Sequence, residues 1–204
     1  MTRKNFLEMF LTILMIFTGF FGVGLSLKSQ GTGAFLMYTI DSNLLNLIVN
    51  LLVLCSWIAN VNIKKFLEHN ILLTLRYTAA CCLGLTFLIV ILVLGPMMGY
   101  RQLLFTGPMI FKHLLNPLLA VGSYLLLNDQ TKLNFRNNLL TLIPTILYGI
   151  IIIVLNILKI IKGPYPFLMV RYQSLTTTIL WILIILLINF IVAKLLQWAT
   201  QSIQ

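Results

Sequence analysis

The chain has 204 residues, 60% of them hydrophobic and 9% charged, with a mean hydropathy of +1.02; that balance excludes a water-soluble globular domain. Its net charge of +10 comes from fourteen Lys and Arg against four Asp and Glu. The cations are scattered over loops and helix ends in runs no longer than two, which excludes a nucleic-acid-binding module.

A membrane span needs about 20 mostly apolar residues, and six stretches qualify, at 6–25, 38–60, 74–95, 109–127, 139–160 and 176–197. The fold predicted is all-α, a polytopic bundle of six transmembrane helices forming one integral membrane domain over residues 1–204. Runs such as LGLTFLIVILVLG do not alternate polar with apolar residues, so a β-barrel is excluded. Arg3 and Lys4 precede the first stretch as in a signal peptide, but it is long for one and GVGLSLKSQ offers no small-x-small cleavage site. It reads as a retained first helix, with Glu8 near its start and within reach of Arg76 for an ion pair.

The second span opens on MYTIDSNLLN, an unusually polar entry into lipid. Thr39, Asn43, Asn46 and Asn50 follow at steps of four, three and four and so share one helical face. Ser42 lies beside that stripe, and Asp41 points about 160° away from Thr39. His69, in the charged loop KKFLEHN, reads as solvated. The third span carries Cys81 and Cys82, and Cys55 lies in the second; with no C-x-x-C spacing they read as small packing residues and not as metal ligands. No cofactor is implied.

Pro108 suits the first turn of span four. Lys112, near that helix start, can snorkel to the surface, while His113 and Asn116, three apart, share a face. Pro117 and Pro144 fall inside helices and should open backbone hydrogen bonds that must face protein or water. GPYPFLMVRYQS (163–174) is too aromatic and proline-rich for a plain linker, and it is expected to fold back on the bundle. No internal repeat is evident.

Spans two and four both start at the end of the bundle opposite the N-terminus. Counted from Ala34 and Pro108, Thr39 and His113 each lie five residues in, about 7 Å below that surface. The loop bearing Tyr165, Pro166 and Phe167 opens onto the same end. A hydroxyl beside an imidazole points to nucleophilic catalysis, the imidazole taking the hydroxyl proton. Asn116 or Asp41 would orient the ring, and Ser42 is the rival nucleophile. Lys112, Arg101, Lys159, Lys162 and Arg171 would hold a carboxylate or lipid phosphate at the rim, or simply meet anionic headgroups. The alternatives are a transporter that uses the Asn stripe and His113, and a non-catalytic protein whose polar groups are packing glue.

Three segments, FLMYTIDSNLLNLIV, KHLLNPLLAV and GPYPFL, resemble the signature stretches of the androgen-induced and androgen-dependent membrane hydrolases. They are more similar still to that family's bacterial six-span relatives, labelled Pr6Pr membrane proteins. The resemblance covers about thirty residues specifically. It implies a threonine hydrolase of fatty acid esters, with the nucleophile at Thr39 and the essential histidine at His113. It further implies membrane lipids as partners, a lipid or fatty-acid ester as substrate, and Asp41, Ser42, Asn43, Asn46, Lys112, Asn116, Tyr165, Phe167 and Arg171 lining the site. Two departures stand out: Met169 follows YPFL where the family usually has an acidic residue, and HLLNP is one residue shorter than in the animal proteins. Eight cations on the N-terminal side against six on the other predict both termini inside, and the composition predicts a bacterial plasma (inner) membrane.

Overall fold

A computed structural model describes residues 3–58, 71–127 and 133–202; the loop with Lys64, Lys65 and His69, and Lys132, lie outside the described residues. The protein is all-helical. Helix α1 (Arg3–Gln30) ends in a 3₁₀ turn, Gly31–Leu36, that feeds α2 (Tyr38–Ile58). Helix α3 (Ile71–Ile89) continues through a π-helical turn, Val90–Leu94, into α4 (Gly95–Met98), and α5 (Tyr100–Phe105) follows. A second π turn, Phe111–Leu115, opens α6 (Asn116–Leu127). Helices α7 (Phe135–Leu140) and α8 (Ile143–Ile157) precede two 3₁₀ turns, Pro166–Leu168 and Val170–Tyr172, and α9 (Leu175–Ser202) closes the chain.

Five of these helical segments are long and apolar enough to cross a membrane: Arg3–Leu36, Tyr38–Ile58, Ile71–Met98, Phe135–Ile157 and Leu175–Ser202. The fourth expected span is a shorter apolar helix, Phe111–Leu127, with residues 109–110 also helical before it. The expected ion pair is present, Arg76 Nη1 lying 2.7 Å from Glu8 Oε1.

Helix α3 is the axis, packed by α2, α6 and α9, and α1 lies across α2 and α6. Its Tyr77, Cys81, Cys82 and Leu83 are fully enclosed. Lipid tails are as apolar as leucine, so small residues and hydrogen bonds hold such helices together. Gly84 lets α9 close on α3, since a Cβ there would lie 2.9 Å from Val192 Cγ1. The single Tyr77 hydroxyl hydrogen is shared between Asn138 Oδ1 and the Ala193 carbonyl, and Asn138 Nδ2 donates to Gln197 Oε1. One hydroxyl thus ties α3, α7 and α9 together.

The interior prolines act as anticipated. In the second π turn the Asn116 N–H donates five residues back, to Phe111. Pro117 has no N–H to continue that register, which leaves the Lys112 carbonyl without a backbone donor; Asn43 Nδ2 donates to it at 3.2 Å. The first π turn repeats the pattern. Gly95 donates to Val90, Pro96 cannot donate to Ile91, and the Tyr100 hydroxyl does so at 3.0 Å. Pro144 splits span five at Thr141–Leu142, and Asn189 Nδ2 donates to the Thr141 carbonyl at 3.3 Å.

Replacing Tyr77 by Phe should cost about 1 kcal/mol or slightly more, because it strips Asn138 and Ala193 of a donor in a dry interior. A lower thermal midpoint of the detergent-solubilised protein, with unchanged helix content by circular dichroism, is the expected reading.

Candidate active site

Helix α2 begins where Met37 turns extended, and the Met37 carbonyl accepts from the Ile40 and Asp41 N–H groups. First-turn N–H groups of a helix have no intrahelical partner. That of Thr39 donates to the Tyr165 hydroxyl oxygen at 3.4 Å, and Thr39 Oγ1 lies 3.3 Å from the same atom. Tyr165 is half-buried, and desolvation pushes its phenol above its ordinary range, so the hydroxyl stays protonated. Its ring stacks on Phe167 (centroids 5.2 Å, interplanar angle 14°), and Phe167 leans on Trp181.

The loop is pinned from below by Asn156. Its Nδ2 donates to the Ile161 and Lys162 carbonyls, and its Oδ1 accepts from the Arg171 N–H. The loop therefore folds back on the bundle, as its composition anticipated.

The four polar residues of the α2 stripe are all buried, Asn43 at 0% exposure. Asn43 Nδ2 donates both to the Thr39 carbonyl (2.7 Å) and to the Lys112 carbonyl, while Asn43 Oδ1 accepts from Asn116 Nδ2 at 2.6 Å. One amide thus joins the backbone of Thr39 to the π turn that carries His113. Ser42 Oγ donates to the Thr39 carbonyl and lies 3.0 Å from Thr86 Oγ1. Asn46 Oδ1 accepts from Asn50 Nδ2.

His113 is buried, with Nδ1 2.7 Å from the Leu103 carbonyl. A carbonyl only accepts, so Nδ1 carries the hydrogen and Nε2 presents a lone pair. Among the described residues Nε2 has no hydrogen-bond partner. The ring is thus held by the α5 backbone, and neither Asn116 nor Asp41 orients it. No hydrogen bond joins Thr39 to His113.

Two other expectations are corrected. Lys112 does not snorkel outward: it is buried, and Nζ donates to Ser26 Oγ at 2.9 Å. The π turn rotates its stem towards α1, where a Cβ on Gly22 would lie 3.7 Å from Lys112 Cβ, and the last turn of α1 supplies partial negative charge. Arg171 is exposed, over the Tyr172 ring at 5.7 Å and reaching the Asn156 carbonyl at 3.5 Å. Neither cation lines the cavity described next.

Thr39 lines a cavity of about 160 Å³ bounded by α2, α3, α8, α9 and the Tyr165–Leu168 turn. Asp41 and Ser42 line a different cavity, of about 380 Å³, between α2 and α8; the opposed directions of Thr39 and Asp41 follow the helical geometry. Tyr38 and Tyr148 belong to both walls. Among the described residues, no three His, Cys, Asp or Glu side chains converge as a metal-binding set.

Sequence reasoning missed the Leu103 carbonyl, the Asn156 clamp and the direct bond from Tyr165 to Thr39. Only Asn156 left a signal, a lone amide in the aliphatic run IIIIVLNIL. No protein-family model matches the chain, and neither a curated protein nor a solved structure matches it.

Replacing Asn43 by Ala should strand the Lys112 carbonyl and the Asn116 amide, at a cost of about 1–3 kcal/mol for each group left unsatisfied, while the Thr39 carbonyl keeps Ser42 Oγ. Asn43→Ala is expected to melt well below an Asn50→Ala control by differential scanning fluorimetry.

Proposed function

We propose that the chain is a six-span membrane ester hydrolase in which Thr39 is the nucleophile and His113 the general base and then acid. The observation that carries the reading is the placement of the Thr39 hydroxyl. It lines a largely apolar cavity, on a first helical turn whose N–H has no intrahelical partner, and beside the hydroxyl of Tyr165. His113, held through Nδ1 with Nε2 bare, is in the tautomer a base requires.

In the reaction, His113 Nε2 takes the Thr39 hydroxyl proton as Oγ1 bonds to the ester carbonyl carbon. The carbonyl electrons move onto oxygen. The Thr39 N–H and the Tyr165 hydroxyl, now engaged with each other, turn to that oxyanion. Collapse expels the alkoxide, which takes the proton from His113. Water then attacks the acyl-threonine as Nε2 takes one of its protons; the acyl–Oγ1 bond breaks, Nε2 returns that proton to Oγ1, and a carboxylic acid leaves with Thr39 and His113 restored. Hydroxyl and imidazole are not bonded in the resting protein, so substrate binding must bring them into line, as is common for catalytic hydrogen bonds that tighten only in the complex.

The proposal extends to ancestry, topology and location: kinship with the androgen-induced hydrolases and their bacterial Pr6Pr relatives, Phe111–Leu127 as the sixth span, both termini inside, and a bacterial plasma membrane. The substrate class is a lipid or fatty-acid ester, and no cofactor takes part.

A second reading has its own support. Thr12 Oγ1 on α1, Asn46 Nδ2 on α2 and Asn116 Oδ1 at the start of α6 are buried without a partner among the described residues. Unpaired polar atoms spread along a bundle interior are what a solute or water path would need, and flux in proteoliposomes would mark a transporter.

The deciding experiment is labelling of the purified protein with a fluorophosphonate probe. Labelling of the wild type is expected, with loss in Thr39→Ala and in His113→Ala and retention in Ser42→Ala; an unlabelled, folded wild type overturns the hydrolase reading. With an ester substrate in hand, Tyr165→Phe should lower kcat by about 100-fold, the usual effect of deleting one oxyanion donor.

A further inference from the structure

The cavity beneath Thr39 is covered by the loop and opens to the outer face of the bundle between α8 and α9. Its roof is the Tyr165–Phe167 stack with Leu168, held by the Asn156 clamp. Its far wall is α3, through Leu85, Ile89 and Val90. Its remaining edge lies between α8 and α9, where Ile146 and Ile150 are 39% and 55% exposed. Gly149 stands on that edge, and a Cβ there would meet nothing within 4 Å.

No charged side chain lines the space. Six hydroxyls do, but they are already engaged. Tyr38 and Thr145 bond each other at 2.8 Å, Tyr148 donates to the Leu36 carbonyl, Thr86 donates to Cys82, and Thr39 and Tyr165 form their own pair. Outside the Thr39–Tyr165 pair, which has a hydroxyl hydrogen to spare, a polar solute would find few partners there, whereas a hydrocarbon loses nothing.

We infer that this cavity is a binding site for one acyl chain of a membrane-resident ester, which enters sideways from the bilayer between α8 and α9 and brings its carbonyl to Thr39. The chemical role given to Thr39 rests on the hydrolase reading; the chain site does not. From Thr145 to Ile153 the cavity runs eight residues along α8, about 12 Å. A cavity of about 160 Å³ is close to the size that takes up a benzene, so it encloses only the carbonyl end of an acyl chain and the rest projects through the gap.

Moving a chain from lipid into an apolar pocket brings almost no hydrophobic gain, because its surroundings are equally apolar on both sides. Retention therefore depends on the head of the ligand, at Thr39 and Tyr165. The site sorts esters by whether a carbonyl can reach those two groups while the chain still lies in the plane of the gap. The larger cavity on the other edge of α8 does not include Thr39, so a chain held there would not present a carbonyl to it.

Trp181 packs against Phe167 beside the cavity and can report occupancy without any turnover. In full-length protein carrying Trp57→Phe and Trp198→Phe, in nanodiscs of unlabelled lipid, a monoacylglycerol brominated in its chain should quench Trp181 saturably. Gly149→Leu, which fills the gap, should abolish the saturable component, and Gly149→Ala should keep it. Ile146→Phe, a separate obstruction at the same lip, should match Gly149→Leu, so the result does not hang on the folding of one variant. Quenching that rises linearly with probe, or that survives both obstructions, overturns the chain site. Saturable, obstructable quenching in a protein that turns over no ester would leave the chain site standing and remove the hydrolase reading. Turnover of long-chain esters untouched by either obstruction would do the reverse.

Discussion

Backbone carbonyls set free inside an apolar bundle need donors, and that requirement organises this structure. Pro96, Pro117 and Pro144 each interrupt a helix and break its run of backbone bonds. Tyr100 and Asn43 supply the donors missing at Pro96 and Pro117, and Asn189 bonds the Thr141 carbonyl at the break before Pro144. The polar opening of α2 is explained in the same terms. Asn43 is needed for Pro117, and because it also holds the Thr39 carbonyl the repair of one helix fixes the position of the next. The geometry of the candidate site is therefore inherited from a constraint on stability. A π turn at such a place is also a common mark of function, since it presents side chains that a regular α-helix would turn elsewhere.

What the sequence showed clearly was periodicity. Thr39, Asn43, Asn46 and Asn50 form one buried stripe as their spacing requires, and Asp41 faces another cavity. The Glu8–Arg76 pair and the inward-folding aromatic loop were also readable, because charge placement and proline-aromatic composition act locally. The expected fourth span was legible as an apolar run, and it folds as the shorter helix Phe111–Leu127. Where the reading failed, the backbone was responsible. An α-helical count does not foresee a turn with i→i−5 bonding, and that turn is what carries Lys112 inwards to Ser26. The partner of His113 is a main-chain carbonyl of Leu103; every residue has such a group, so its identity leaves no trace in residue type.

The two halves of the bundle are built differently. Helices α1, α2, α3 and α6 come close through small residues, with Gly22 under the Phe111–Lys112 turn, and they enclose most of the fully buried side chains. Helix α8 buries only Thr145, Ile152 and Asn156. Its exposed face is Ile and Leu, which gain nothing by choosing protein over lipid.

Helix α8 is accordingly held by points and not by a packed face. Thr145 bonds Tyr38 and Asn189 near its start, Tyr148 reaches the Leu36 carbonyl one turn on, and Asn156 grips the loop at its end. A helix attached along a line of hydrogen bonds leaves space on both of its flanks, and both flanks carry a cavity. Packing α8 as tightly as α3 would close the space beneath Thr39 and leave its hydroxyl facing only protein. The loose half of the bundle and the polar start of α2 are thus two parts of one arrangement: the tight half fixes Thr39 and the π turn that carries His113, and the suspended helix keeps a largely apolar space open in front of Thr39.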